Sequence, residues 1–311
     1  MSSKNSERSQ PSDIYFNSGD LKCSAYLYRP AQKSPSPIII MAHGLGGTRK
    51  MRLTAFAERF VAAGYACLVF DYRHFGDSEG QPRQLLDINR QLEDWKAAIA
   101  YARQLSGIDH SKIILWGSSF SGGHVLATAA QDENIRAVIS QCPFTDGLSS
   151  SLVMDPVTSL KLPTLALRDR ISAVLGNEPV MVPLSATPGN TALMNAADAH
   201  SGSLELTKYD PDYKNYVAAR FAFDIIRYYP GRQAKKIKAP VLYCVCETDS
   251  VAPSKATLRY ANQTPQKEIK RYHYGHFEIY IGDAFEHVVN DQINFLKKLN
   301  FSMAKVIFEN D

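Results

Sequence analysis

Ile113-Ile114-Leu115-Trp116-Gly117-Ser118-Ser119-Phe120-Ser121-Gly122-Gly123 decides how the rest of the chain is read. Four apolar residues make a buried strand, and the next seven are Gly and Ser around Phe120. The segment from Gly123 to Ala130 then has helical character. A strand that turns abruptly into a helix with a serine at the turn presents that hydroxyl as a nucleophile. The small neighbours meet a steric need, because a residue in strained backbone geometry tolerates little side-chain bulk around it. The helix start also directs backbone N–H groups at the serine, where an oxyanion would form.

Three serines compete for the role. The frame Gly117-Ser118-Ser119-Phe120-Ser121 matches G-x-S-x-G except at its last position, whereas Ser119-Phe120-Ser121-Gly122-Gly123 loses the first glycine. The first frame is preferred, because the apolar strand ends at Trp116 and the turn should follow at once. Ser119 is therefore the expected nucleophile, with Ser121 second. A Ser/Gly-rich turn without chemistry is the bland alternative.

Outward from this turn, the composition is that of a globular protein with a sizeable core: 311 residues, 45% hydrophobic and 21% charged. A net charge of +4 with scattered Lys and Arg argues against nucleic-acid binding, which favours concentrated basic faces. Met1 to Ser12 is polar and lacks the apolar core of a secretion signal, and no stretch approaches a membrane span. Five cysteines (Cys23, Cys67, Cys142, Cys244, Cys246) suggest no disulfide framework, and most lie in apolar runs. Buried reduced thiols and a cytoplasmic location are expected. Cys244 and Cys246 share a strand face without a nearby His and are read as core packing rather than a metal site.

On the N-terminal side, Leu21 to Tyr28 reads as an edge strand. Pro37-Ile38-Ile39-Ile40-Met41-Ala42 is a continuous apolar run, as in a parallel strand covered on both faces. It leads into the glycine-rich loop His43-Gly44-Leu45-Gly46-Gly47, which sits where an open α/β sheet binds its ligand. A helix from Leu53 to Ala63 and a strand from Tyr65 to Phe70 follow. The loop Asp71-Tyr72-Arg73-His74-Phe75-Gly76-Asp77 comes next, with Asp71 and Arg73 read as braces. Ile88, Leu92, Trp95, Ile99 and Ala102 mark an amphipathic helix capped by Asp87.

On the C-terminal side, Ala137 to Ser140 is one more strand, and alternation then lapses from Leu148 to Lys238. One helical piece there carries Leu160, Leu167, Ile171, Val174 and Leu175. Another begins at Asp210-Pro211 and carries Tyr213, Tyr216, Val217, Phe221 and Tyr228. These pieces are read as a helical cap, with additional core as the alternative. Pro240 to Cys246 is a strand ending in Glu247-Thr248-Asp249. A helix from Pro253, a short strand near Ile269 to Tyr272, the loop Gly275-His276-Phe277 and a helix over residues 284–299 complete the chain. The expected layout is a polar tail over 1–19, a core over 20–147 and 239–300, a cap insertion over 148–238 and a tail over 301–311.

A serine hydroxyl needs a base within hydrogen-bond reach, and a carboxylate that fixes the base's tautomer. Ser119, Asp249 and His276 each stand at the end of an expected strand, in that order. His273 falls on the expected strand and is read as structural. His43 is assigned to orienting the glycine-rich loop, and His124 to the helix behind the serine. Asp146 and Glu247 are the alternative acids, and Glu278 follows His276 too closely to serve.

The serine turn, His43-Gly44-Leu45-Gly46, Asp71-Tyr72-Arg73 with Gly76, Asp249 with Pro253, and Gly275-His276-Phe277 together resemble the α/β-hydrolase superfamily over about residues 20–300. The likeness is greatest to capped esterases and acyl hydrolases of bacteria and fungi. The resemblance implies an α/β-hydrolase fold: a mostly parallel central sheet flanked by helices, with an inserted, mainly helical cap. It also implies Ser119 as nucleophile, Asp249 as acid, His276 as base and an oxyanion hole from the N–H groups of Leu45 and Phe120. Ser121 departs from the pattern, since most relatives have glycine there.

The leading expectation is therefore a serine hydrolase that cleaves a carboxylic ester or thioester with a small, largely apolar acyl group, through an acyl-enzyme. An acyltransferase using the same triad is the first alternative. A non-catalytic receptor binding a small ligand under the cap is the second. Peptidases and carbon–carbon bond hydrolases share the constellation. Haloalkane dehalogenases and epoxide hydrolases need a carboxylate at the turn, and dienelactone-type hydrolases a cysteine. No metal or organic cofactor is expected, and the expected partner is a small-molecule substrate, not nucleic acid or membrane.

Overall fold

The continuous apolar runs form the middle of the sheet. In the computed structural model, which describes residues 10–31 and 35–299, the chain-order elements begin with β1 (Ser12–Ser18), β2 (Leu21–Tyr28), β3 (Ser36–Ala42), α1 (Leu53–Ala62), β4 (Ala66–Phe70) and α2 (Ile88–Ala102). They continue through β5 (Ile108–Ser118), α3 (Phe120–Ala129) and β6 (Ile135–Gln141). Between β6 and the next sheet strand lie α4 (Gly147–Ser151), α5 (Pro156–Val174), β7 (Met181–Pro183), α6 (Ala199–Thr207), β8 (Tyr216–Ala218) and α7 (Ala222–Ile225). The chain then re-enters the sheet with β9 (Val241–Cys246), α8 (Ser254–Ala261), β10 (Lys267–Tyr272) and α9 (Gly282–Lys298).

Eight strands lie in the order β1-β2-β4-β3-β5-β6-β9-β10, with only the pairs β1–β2 and β2–β4 antiparallel. Successive residues of a strand face opposite ways, so both sheet faces must be covered where every residue is apolar. In β3, Ile38, Ile40 and Ala42 enter one core with Trp95 and Ile99 of α2 and Val125 of α3. Ile39 and Met41 enter the other with Phe56 and Phe60 of α1 and Val288 and Leu296 of α9. Asp87 caps α2 as expected, accepting the Arg90 N–H at 3.1 Å.

Two expectations give way. Leu21–Tyr28 is the second strand, not the edge: Ser12–Ser18, assigned to the polar tail of residues 1–19, pairs along it as the edge strand. Its exposed positions carry Ser, Asp, Asn and Tyr15, and Phe16 is buried, so the mostly polar outer side that reads as a tail belongs to an edge facing water. The expected helix from Asp210 is instead a turn, the strand β8, a 3-10 turn over Ala219–Phe221 and the short α7. The Asp210 carboxylate takes the Thr48 hydroxyl at 2.5 Å rather than capping a helix. β8 pairs antiparallel with β7, so the segment is not purely helical.

The helical piece expected here is α5, and its apolar stripe faces outward: Leu160 is 76% and Val174 88% exposed, and Leu167, Ile171 and Leu175 are exposed too. The face turned inward holds Thr158, Leu162, Ala166 and Asp169. Asp169 accepts bonds from the Val180 N–H and from the Arg220 N–H and guanidinium, at 2.7–2.9 Å. A buried, fully paired carboxylate fixes which side of this helix points in, against its hydrophobic periodicity. All five cysteines are buried and free, with Cys244 and Cys246 in the core as read. No helix among the described residues is long and apolar enough to cross a membrane. The expected tail over 301–311 lies outside the described residues.

Candidate active site

β5 delivers the serine turn. Ser119 stands between β5 and α3 at φ 57° and ψ −119°, a conformation that L-residues rarely adopt. Gly117 makes the turn possible, since a Cβ there would collide with the backbone of Ser121. Above it the loop after β3 passes so closely that a Cβ on Gly44 would lie 2.6 Å from the Ser119 Cβ. Leu45 follows on this loop, and Phe120 is the first residue of α3, so its N–H lies outside the helix's own hydrogen-bond ladder. Both border the cavity that contains Ser119.

The turn has a serine where the G-x-S-x-G pattern has glycine, and the hydroxyl is put to use. Ser121 is fully buried, donates to the His43 carbonyl at 2.7 Å and contacts the Tyr72 hydroxyl, which also accepts from the Trp95 indole at 2.8 Å. Ser121 thus ties the turn to the loops after β3 and β4 and lies away from the base. Of the two serines, Ser119 is the one that meets the histidine, with His276 Nε2 2.9 Å from its hydroxyl.

The loop after β10 carries His276 and the loop after β9 carries Asp249, and the two meet at 2.7 Å through His276 Nδ1. The other Asp249 oxygen accepts the N–H groups of Val251 and Ala252 at 2.9 and 2.6 Å, which fixes the carboxylate. Both side chains are buried. Glu278 accepts the Gly275 N–H at 2.6 Å and so braces the histidine loop.

The remaining candidates find other work. His43 Nδ1 accepts the Gly44 N–H at 2.8 Å and its ring stacks on Tyr280. Burial holds it down at about 4, so it stays neutral beside the site. His124 bonds Tyr228 and Gln91 through its two nitrogens, and burial lowers it to about 3. His273 is exposed against Glu247. Asp146 caps α4 and pairs with Arg259 and the Tyr260 hydroxyl. Asp71 bonds the backbone and guanidinium of Arg49, and Arg73 bonds Asp94, so both act as the braces expected.

Sequence reasoning missed Cys142. It follows β6 at φ 33°, with its sulfur 3.5 Å from the Ser118 hydroxyl and 4.0 Å from the His276 carbonyl. Nothing in Gln141-Cys142-Pro143 signals this proximity, because the histidine is far away in sequence. Cys142, Asp249 and His276 each bring one potential ligand atom within 4.8 Å of the others. Those of Asp249 and His276 are already engaged with each other.

Charge around the base favours the imidazolium. Burial alone would lower the His276 pKa, but the Asp249 carboxylate and the Cys142 sulfur overcome it and raise it to about 9. Burial alone would raise Cys142, but the Cys246 thiol and the His276 charge bring it to about 7. A base must be neutral to accept a proton. Activity is therefore expected to rise with pH through an ionisation displaced upward from 6.5 toward about 9. Cys142→Ser removes one source of negative charge, and the ascending limb of the kcat/KM profile should move to lower pH. An unmoved limb would remove Cys142 from the electrostatics of the base.

On the other side of Ser119 opens a cavity of about 240 Å³ lined by Phe120, Phe144, Leu162, Leu193 and Ile225, among others. Its walls are overwhelmingly apolar and come largely from residues 144–226.

A strained serine between strand and helix, hydrogen-bonded to a histidine and through it to a buried carboxylate, is the arrangement of a serine hydrolase. The family model described as serine aminopeptidase, S33, matches residues 33–282. The chain belongs to this family of α/β hydrolases. It is 68% identical to the quorum-quenching protein AidA of Acinetobacter baumannii over 289 residues, 93% of this chain and 95% of AidA. It is 27% identical to the thiohydrolase aneE of Aspergillus aculeatus over 304 residues, 94% of this chain and 95% of aneE. The crystal structure of the α/β hydrolase GrgF from a Penicillium species superposes with a TM-score of 0.79 at 25% identity, covering 93% of this chain and 98% of GrgF. GrgF carries the name polyketide transferase. The chain is accordingly an esterase-type enzyme for ester or thioester bonds, as the sequence led us to expect.

Proposed function

We propose that this enzyme inactivates an acylated quorum-sensing signal by hydrolysing its ester-type bond, with Ser119 as nucleophile, His276 as base and Asp249 as its orienting acid. The observation that carries the reading is the chain of hydrogen bonds from Ser119 to His276 at 2.9 Å and on to Asp249 at 2.7 Å, at the foot of an apolar cavity. The 68% identity to a quorum-quenching protein supports the substrate class. Segment 148–238 acts as the cap, and its apolar walls receive the acyl chain. Five buried free thiols fit a reducing cytoplasm.

His276 Nε2 takes the Ser119 proton as the oxygen attacks the carbonyl carbon. The N–H groups of Leu45 and Phe120 hold the resulting oxyanion, and losing one such donor typically costs about 10²–10³ in rate. The carbonyl-to-leaving-group bond then breaks, and the imidazolium returns its proton to the leaving atom. Water, activated by the same histidine, releases the acid from the acyl-enzyme.

The test is hydrolysis of an ester series from acetyl to dodecanoyl, run beside a reporter assay for loss of an acylated quorum signal. A long-chain optimum with signal loss supports the reading. Ester turnover with an intact signal would leave the hydrolase and remove the quorum role. The likeness to a polyketide transferase favours acyl transfer as a second reading. An added alcohol or amine that captures most of the acyl group from water would establish it.

A further inference from the structure

Two chambers meet at Ser119, and they differ in kind. The apolar cavity described above is one. The other, of about 30 Å³, lies against the loop after β3 and is lined by Met51, Ser203, Leu206, Tyr213, His276 and Phe277, among others. His276 borders the small chamber and is absent from the lining of the large one. This asymmetry gives each chamber a chemical role. The imidazolium must hand its proton to the leaving atom, so the leaving group has to sit within hydrogen-bond reach of His276. The acyl chain then takes the other side.

The small chamber also contains two hydroxyls contributed by segment 148–238. Ser203, on α6, is 4% exposed, and the half-buried Tyr213 lines the chamber with it. Tyr213 additionally lines a polar surface cleft with Asp77, Arg83 and Asp212. Met51, Met194, Leu206 and Phe277 supply apolar wall, and Tyr280, which also borders the chamber, has its hydroxyl engaged with Ser118 at 2.5 Å. A hydrogen-bonding substituent on the leaving group therefore has Ser203 and Tyr213 to meet, beside the ring of His43.

We infer that Ser203 and Tyr213 form the leaving-group subsite, and that it selects a small polar alcohol, free or ring-closed onto its own acid. This rests on the roles proposed above for Ser119 and His276. No new bond chemistry is added. The carbonyl–oxygen bond breaks as before, and the released oxygen takes the His276 proton inside this chamber. The two residues are positioning residues, acting on a substituent of the leaving alcohol rather than on the reacting carbonyl.

The test holds the acid fixed as octanoate and varies the alcohol. Propyl and 2-hydroxyethyl esters have nearly the same size and differ by one hydroxyl. In the wild type, kcat/KM should favour 2-hydroxyethyl by about three- to tenfold, the value of one hydrogen bond. Benzyl esters should be disfavoured by about tenfold or more, because a filled pocket rejects added carbon. Tyr213→Phe, which keeps the ring, and Ser203→Ala should each collapse the 2-hydroxyethyl-to-propyl ratio toward one. Neither should move the optimum of the acyl series. Leu162→Phe, in the large cavity, should do the reverse.

Equal turnover of propyl and 2-hydroxyethyl esters by the wild type would overturn the inference. So would a ratio that survives both substitutions, or an acyl optimum that moves with them. All readouts are ratios between simple esters in one active enzyme, so their failure is separate from failure of the quorum role. Loss of the Ser119 mechanism would show instead as turnover that persists in Ser119→Ala.

Discussion

Ser119→Ala is expected to lower ester hydrolysis by about four to six orders of magnitude, with the fold intact and the acyl cavity still able to bind. Removing a nucleophile takes away the covalent route altogether, and what remains is binding and oxyanion stabilisation acting on water. Ser121→Ala is the informative companion. Its hydroxyl links the His43 carbonyl and Tyr72, and it has no contact with His276 among its hydrogen bonds. Its loss should therefore fall on stability, by about 1–3 kcal/mol for the buried partners left unpaired. Activity should stay within about tenfold of the wild type, in keeping with a modest shift of the turn. Burst kinetics with a chromogenic ester would separate the two variants, since only the wild type and Ser121→Ala should accumulate an acyl-enzyme. A Ser119→Ala protein with near-normal turnover would refute the assignment.

Asp71→Ala is expected to destabilise the fold by about 3–5 kcal/mol, because it strands the guanidinium of Arg49 in the interior. Arg49 and Asp71 are both buried, and the ion pair is supported by the Arg49 N–H at 2.6 Å and by Asp77 at 2.8 Å from the guanidinium. Burial keeps the Asp71 carboxyl above its usual pKa even with Arg49 against it, which reflects how costly desolvation is here. Replacing both partners with apolar residues of similar size should cost much less than Asp71→Ala alone. Urea unfolding monitored by tryptophan fluorescence gives the comparison. A loss below about 1 kcal/mol for Asp71→Ala would mean that water reaches Arg49 and that the pair behaves like a surface one.

The sheet centre and the positions of the proposed nucleophile and acid were legible for the same reason. Ile38 to Ala42 and Val241 to Cys246 are covered on both faces, so their burial appears directly as unbroken apolar runs. The loops that end the apolar strands β5 and β9 stand at the rim of the sheet, where Ser119 and Asp249 are found; His276 follows the mostly polar β10. Ser12–Ser18 was hidden because an edge strand can satisfy one side with water and needs few apolar residues. The stripe of α5 was legible as a helix face, but periodicity does not say which way a face points. Asp169 and its bonds to Arg220 set that direction, and Arg220 is too distant in sequence to be read as its partner. Arg49 escaped notice for a related reason, since its surroundings in sequence are an ordinary polar turn. Cys142 became visible only when β6 and the histidine loop were brought together.

β6 and β9 lie side by side, although all of segment 148–238 is strung between them. The chain leaves the sheet and returns one strand over, so the ends of the excursion are fixed close together whatever its length. Lengthening a loop between fixed ends costs only about 0.6 kcal/mol for each doubling. The strands bearing the proposed nucleophile and acid are spared any change made in that excursion. Evolution can thus treat the segment as a replaceable part, testing new substrate preferences through insertions and rewritten helices while inheriting the reaction unchanged. Divergence within the family should accordingly concentrate there.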